Sequence, residues 1–320
     1  MASCFGYAPN RPYYGWMLIR RGIILDSIAI ALTNDAAFRV YAAVTTETIK
    51  TAQRLHGSYP VATAALGRAL TAAAMMGAMQ KNENSSITIQ IKGDGPLGTV
   101  MAVSDAASNV RGYASNPDVI LPLRTDGKLD VGGGVGRNGF INVIRDSGSG
   151  EPYSGSVALV SGEIAEDLAA YYAASEQVPT AIGLGVLVGA NGVPEASGGF
   201  ILQLMPGRGE NDDKIIEKVE ETLKEMPSVT DMIKSGITAE GIMQKLLDGI
   251  EFNVLESRSV GYKCNCSNER VERALVSIGK KDLKSLIDEG KQTEVNCSFC
   301  DKKYSISADR LCDLYEKCKR

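Results

Sequence analysis

Hydrophobic and polar positions alternate at a period of two soon after the start of the chain. Residues 28–32 and 38–42 flank a turn at Thr33-Asn34-Asp35 and predict a β-hairpin. A polar helix follows over 46–56. From Pro60 to Gln80 the chain is rich in Ala, Leu and Met on every helical face, with Arg68 as the main polar interruption. A helix apolar all round belongs inside a domain. Short β-like runs at 86–92, 99–103 and 110–114, with a turn at Gly93-Asp94-Gly95-Pro96, predict an antiparallel meander that 140–144 and 156–160 continue. Ser161 then launches a helix to about Gln177, with Glu163, Glu166 and Asp167 near the positive end of its dipole. Strands near 181–188 and 199–205 complete one α+β domain over 27–206, with an antiparallel sheet and a buried helix.

Beyond Pro206 the pattern becomes charged and helical. Amphipathic segments near 213–225, 229–234 and 240–248 predict a helical linker over 207–262, and each is short enough to be marginal alone. The linker must gain its stability by docking on a neighbour. At the other end, Arg20-Arg21 before an apolar stretch imitates a signal peptide, but Asp26 interrupts it and no small-residue cleavage site follows. Residues 1–26 are read as an extension, and the segment before Met17 as an addition or a mis-assigned start.

Charge narrows the partners. A net charge of -4 and a pI near 5.3 leave no whole-molecule footprint for nucleic acid or an anionic membrane. The uncharged run 177–194 approaches a membrane span in length, but its two prolines and four glycines fit strand and turn better. Six of the seven cysteines fall in the last 57 residues. Such clustering in a long, otherwise cysteine-poor chain points to metal or redox chemistry in a reducing compartment, so the protein is expected to be cytoplasmic.

The tail over 263–320 reads Cys264-Asn265-Cys266, thirty intervening residues, then Cys297-Ser298-Phe299-Cys300. Two close thiol pairs on a loop long enough to fold back can complete a tetrahedral zinc site with no open position. Thiolates held this way also stay reactive towards oxidants. A plain structural zinc ribbon is the ordinary reading of such spacing; the one-residue gap of the first pair is tighter than structural sites usually use. From Cys264 onward twelve Lys or Arg face ten Asp or Glu, a balance of +2, and four thiolates with zinc add -2. A nearly neutral module whose aromatics are Phe299, Tyr304 and Tyr315 is a weak candidate for gripping phosphates.

The run from Tyr262 through Cys264-Asn265-Cys266-Ser267-Asn268-Glu269-Arg270, then Ile278-Gly279, then Glu294-Val295-Asn296-Cys297-Ser298-Phe299-Cys300 to Tyr304, resembles the switch of the heat shock protein 33 family of redox-regulated holdases. Arg54-Leu55-His56-Gly57, Ala64-Ala65-Leu66-Gly67-Arg68, Gln90-Ile91-Lys92-Gly93-Asp94-Gly95 and Gly198-Gly199-Phe200-Ile201 carry the resemblance into the N-terminal domain. It implies an α+β chaperone domain, a metastable linker and a small zinc-binding domain, with one zinc held by Cys264, Cys266, Cys297 and Cys300 in the reduced, inactive form. It further implies that oxidation expels zinc and forms the disulfides Cys264–Cys266 and Cys297–Cys300. Apolar surface then opens to unfolded client proteins, often with homodimerisation. On this reading the protein is not an enzyme and has neither nucleic-acid nor membrane partners; a structural zinc-ribbon interaction or nucleic-acid-binding module is the alternative.

Other features read as structural. His56, the single histidine, precedes Gly57 at a predicted helix end and suits a cap or surface role better than a catalytic triad. The glycine-rich stretch 131–136 lacks phosphate-loop spacing and is expected to be a flexible loop or hairpin. Met75, Met76, Met79 and Met101 are expected in the core rather than on a pliable client surface. Cys312 and Cys318 are expected as exposed or helical bystanders, and Cys4 as incidental.

Overall fold

The computed structural model describes residues 19–20, 23–24, 26–206, 212–289 and 292–318. Cys4 and most of the N-terminal extension lie outside these residues. The fold is α+β with largely antiparallel sheets. A short pair, β1 (Ile19–Arg20) and β2 (Ile23–Ile24), precedes the hairpin of β3 (Ser27–Thr33) and β4 (Phe38–Val44), whose strands pair antiparallel as the alternation predicts. Helices α1 (Thr46–His56) and α2 (Pro60–Ala78) follow; α1 stops at Gly57, which takes the left-handed conformation at φ 57°. Next come β5 (Ser86–Lys92), β6 (Thr99–Asp105), β7 (Asn109–Ala114), α3 (Val131–Val135), β8 (Phe140–Asp146) and β9 (Tyr153–Ala158). Then α4 (Ala165–Tyr171) runs into a π-helical turn at Tyr172–Glu176, and β10 (Thr180–Val188) pairs with β11 (Pro194–Leu204).

Two sheets sandwich α2. One has the strand order β10-β11-β4-β3 with a fifth strand, β12 (Phe252–Ser259), on the β3 edge; the other runs β7-β6-β5-β8-β9 with β13 (Gly261–Tyr262) parallel to β7. In α2, 17 of 19 residues are buried, so the helix is the core that both sheets close on. Small side chains let it come near: a Cβ on Gly77 would lie 2.3 Å from Ser104 Oγ and 2.6 Å from the Asp105 carbonyl. By length and composition α2 is also the one helix among the described residues that could cross a membrane, but its apolar positions are already buried against the sheets. Met75 and Met76 are fully buried and Met79 packs against the same core, as expected, while Met101 is half-buried.

The period of two in β3 and β4 serves two cores. Ile28, Ile30, Tyr41 and Ala43 face α2, whereas Ala29, Ala31, Val40 and Ala42 point the other way, with Phe200 and Leu202 of β11. That outer face is covered by α5 (Asp212–Glu225), α6 (Val229–Lys234) and α7 (Ala239–Leu246) through Val219, Met232, Ile233, Ile242, Met243 and Leu246. The helical segments read from the sequence therefore dock on the first sheet. The chain then runs through β12, where the sequence marked no strand: as an edge strand it leaves most side chains in water, so no apolar alternation betrays it.

Two further expectations are corrected. Residues 131–135 form the helix α3 rather than a loose loop, because Asp130 caps it by accepting from the Gly133 N–H (2.9 Å) and Val131 and Val135 pack fully buried in the α2 core. Helix α4 starts at Ala165, four residues after Ser161. Asp167 accepts the backbone N–H groups of Val160, Ser161, Gly162 and Ile164, which holds that stretch as a turn before the helix.

Candidate metal centre

The C-terminal module is built from α8 (Asn268–Ser277), α9 (Lys280–Asp288), the hairpin of β14 (Thr293–Asn296) and β15 (Lys303–Ile306), and α10 (Ala308–Lys317). Its core is small: Val271, Leu275, Leu283, Tyr304, Ile306, Leu311, Leu314 and Cys318. Arg310 adds a two-point ion pair to Glu272, at 2.8 and 2.7 Å, joining α10 to α8.

Local folding brings each cysteine pair into place. Cys297 and Cys300 sit in the tip of the β14–β15 hairpin, where the Cys297 N–H donates to the Lys302 carbonyl (2.9 Å) and the Asp301 N–H donates back to the Cys297 carbonyl (2.9 Å). Asp301 takes the left-handed conformation, φ 57°, to close that tip. Cys264 and Cys266 lie on the extended segment between β13 and α8. It is pinned at one end by the Lys263 N–H to the Val110 carbonyl (2.8 Å) and at the other by Ser267, which caps α8.

The four sulfurs converge. Cys264 Sγ lies 3.7 Å from Cys297 Sγ, Cys266 Sγ lies 3.5 Å from Cys300 Sγ, and all four fall within 4.8 Å of one another. Zinc–sulfur bonds of about 2.3 Å at tetrahedral angles put ligand sulfurs ~3.8 Å apart. Donor type, number and spacing thus fit such an ion, and the cluster could hold a metal. Tyr304 Oη donates to Cys266 Sγ at 2.9 Å. Burial resists ionisation of Cys266, but that hydrogen bond and those of the neighbouring thiols outweigh it and bring the thiol down to about 7. Burial pushes Cys264 and Cys300 up instead. Arg111 on β7 stands beside this group. Burial and nearby Arg270 move the pKa of its guanidinium down from the ordinary value, whereas Cys264, Asp105 and Cys297 oppose the shift, and it stays charged.

The module also touches the second sheet. The Phe299 ring, inside the Cys297–Cys300 turn, meets the Tyr113 ring edge-on at 5.6 Å and lies under the Arg111 guanidinium at 5.5 Å. The sequence names Tyr304 as one of the tail's aromatics but not as a partner of Cys266, and it does not single out Arg111, since nothing in the spacing of either predicts a contact across the fold. The remaining candidates fall elsewhere. Cys312 is exposed on α10; Cys318 is buried at its end, its Sγ 3.5 Å from the Val276 carbonyl, so it belongs to the module's core rather than its surface. Glu163 pairs with Arg68 (2.5 Å) and Arg124 (3.2 Å), a link between loops and α2. His56 does end α1, but it is half-buried and bonded to Tyr262 (3.1 Å) instead of facing water.

Comparison with known proteins agrees with this architecture. A family model described as Hsp33 protein matches residues 26–307. The 33 kDa chaperonin of Ruminiclostridium cellulolyticum is 51% identical over 282 residues, covering 88% of this chain and 95% of that one. The 33 kDa chaperonin of Clostridioides difficile is 46% identical over 292 residues, covering 91% and 99%. Among solved structures, the 33 kDa chaperonin (heat shock protein 33 homolog) of Thermotoga maritima superposes with a TM-score of 0.81 at 34% identity, covering 91% of this chain and 98% of that one.

Proposed function

The chain belongs to the Hsp33 family, and from that membership we propose that it is a holdase chaperone switched on by oxidation of Cys264, Cys266, Cys297 and Cys300. The observation that carries this reading is the convergence of those four thiols within 4.8 Å in a module with so small a core. One zinc ion per chain would keep all four sulfurs as thiolates and add folding free energy of order 10 kcal/mol or more, the scale known for zinc-finger peptides.

Thiolates are the form that oxidants attack. With hydrogen peroxide as oxidant, each pair of thiolates gives up two electrons and forms one S–S bond, while the O–O bond breaks and its oxygens take two protons from solvent and leave as two waters. Four thiols thus consume two peroxides. In the assembled site sulfurs of different pairs approach closely, 264 to 297 at 3.7 Å and 266 to 300 at 3.5 Å, and all four lie within 4.8 Å. Pairing is assigned within Cys264–Cys266 and Cys297–Cys300, because neighbours along the chain stay close as the site loosens, whereas the cross-pair partners are more than thirty residues apart. Spent as disulfides, the cysteines no longer tie the module together. Its few buried side chains then fail to hold it, β13 loses its dock, and α5 to α7, marginal as isolated helices, leave the outer face of the first sheet. That apolar face serves unfolded clients and, in the oxidised state, a second copy of the chain.

The activity is binding rather than catalysis, needs no nucleotide, and belongs in the cytoplasm, where thiols stay reduced until stress. It involves neither nucleic acid nor membrane. Light scattering from a thermally unfolding client tests the reading. Peroxide-treated protein should suppress aggregation at near-equimolar ratio while the reduced, zinc-loaded protein does not; equal suppression by both would overturn it.

A further inference from the structure

The hydroxyl of Tyr262 is a junction between three parts of the fold. It lies on β13, two residues before the first cysteine of the cluster, and Gly112 of β7 brackets it: the Gly112 N–H donates to Tyr262 Oη at 3.2 Å and the Gly112 carbonyl is 2.9 Å away. The Phe299 carbonyl, inside the Cys297–Cys300 turn, accepts from the same hydroxyl. His56 Nε2, from the end of α1, approaches at 3.1 Å, and the two rings meet edge-on. Sheet, helix and cysteine turn therefore meet on one oxygen.

A phenol offers one proton and two lone pairs. Two carbonyls compete for the proton, and the Gly112 N–H occupies one lone pair. If His56 carried its proton on Nδ1, its bare Nε2 would be a third claimant on the Tyr262 proton. With the proton on Nε2, His56 donates to the second lone pair and leaves the Tyr262 proton for the carbonyls. In that tautomer the single histidine is the donor that aims the phenol.

We propose that His56 and Tyr262 form an interdomain latch that holds the Cys297–Cys300 turn against β7, so that opening of the cysteine module is transmitted to the sheet through Tyr262. The redox part of this inference rests on the function proposed above. Tyr262 and His56 are positioning residues: neither offers a ligand to the cluster. Around them the Phe299 ring adds its contacts with Tyr113 and Arg111, and the Lys263 N–H its bond to the Val110 carbonyl, so the latch closes a seam that continues along β7.

Tyr262→Phe deletes the junction oxygen and keeps the ring. In the full reduced, zinc-loaded chain it should retain one zinc but shift the docked equilibrium of the module roughly fivefold, the loss expected for about one net hydrogen bond. Hydrogen exchange then speeds up by a similar factor at the amides of Gly112, Tyr262 and Lys263, but not in the α2 core. Peroxide consumes the four thiols at a correspondingly lower concentration. His56→Ala should behave alike, and His56→Gln, which restores a side-chain N–H donor, should recover much of the protection. Exchange at these amides unchanged from the parent in both Tyr262→Phe and His56→Ala would overturn the latch. If the parent's thiols resist peroxide, the redox reading falls, and the exchange comparison under reducing conditions still decides whether the latch exists.

Discussion

Ile242→Ala should turn the chaperone on without oxidation. Ile242 is fully buried on α7, in the cluster that α5, α6 and α7 form against Val40, Phe200 and Leu202 of the first sheet. Truncation removes three carbons, about 2.4 kcal/mol of transfer free energy at ~0.8 per methylene, and the residual cavity brings such changes to roughly 2–5 kcal/mol. At about 3 kcal/mol the undocked fraction of the linker rises on the order of 150-fold. Helices of six and eight residues have little intrinsic stability with which to resist. The assay is hydrophobic-dye fluorescence and client aggregation under reducing conditions, with zinc content checked at one per chain. Ile89→Ala is the control: Ile89 is equally buried but belongs to the α2 core, so it should lower the melting temperature without uncovering the outer face. An Ile242→Ala protein as silent as the parent, or an Ile89→Ala protein just as active, would refute the assignment of the outer face to regulation.

Three further outcomes are expected. Replacing Cys297 and Cys300 together with serine should abolish zinc binding and raise dye binding under reducing conditions; if dye binding stays at the parent level, the linker does not depend on the module. Tyr304→Phe removes the hydroxyl 2.9 Å from Cys266 Sγ and should weaken metal affinity about 10-fold or more, read by competition with a chromophoric chelator; identical competition curves would remove Tyr304 from the site. Asp26, buried where it accepts the Glu47 and Thr48 N–H groups at the start of α1, has its carboxyl raised from 3.8 to about 6, with burial as the main cause. The folded state therefore binds more protons than the unfolded state between those values, and stability falls as pH rises through them, by about 3 kcal/mol in all. Asp26→Asn should lack this slope, so the stability difference between parent and variant should drift between pH 4 and 7; a constant difference would contradict it.

Much of this was legible in the sequence because the signals were local. An all-round apolar helix has nowhere to go but between layers, and α2 lies there. Alternation in β3 and β4 announced the hairpin, though not that both faces would be covered, since alanine on the outer face reads as neutral until linker helices are placed against it. Spacing alone singled out the four thiols that the fold brings within 4.8 Å. What escaped was long-range or disguised. Strand β12 has exposed side chains on an edge, and α3 hides a capped helix in a glycine run. His56 and Tyr262 are 206 residues apart, and no periodicity links them. Tyr304 reaches Cys266 across 38 residues by its place on β15.

The central claim is that the four-cysteine cluster is a zinc-loaded oxidation switch. Zinc release and free-thiol loss, followed together on one reduced sample titrated with peroxide, test it most directly. One zinc per chain is expected, freed in step with the loss of the four thiols of Cys264, Cys266, Cys297 and Cys300, while among the described residues outside the cluster the exposed Cys312 accounts for earlier, zinc-independent loss. Zinc that stays bound with those four thiols intact, at peroxide levels that have already consumed Cys312, would contradict it and leave a structural metal module in place of a switch.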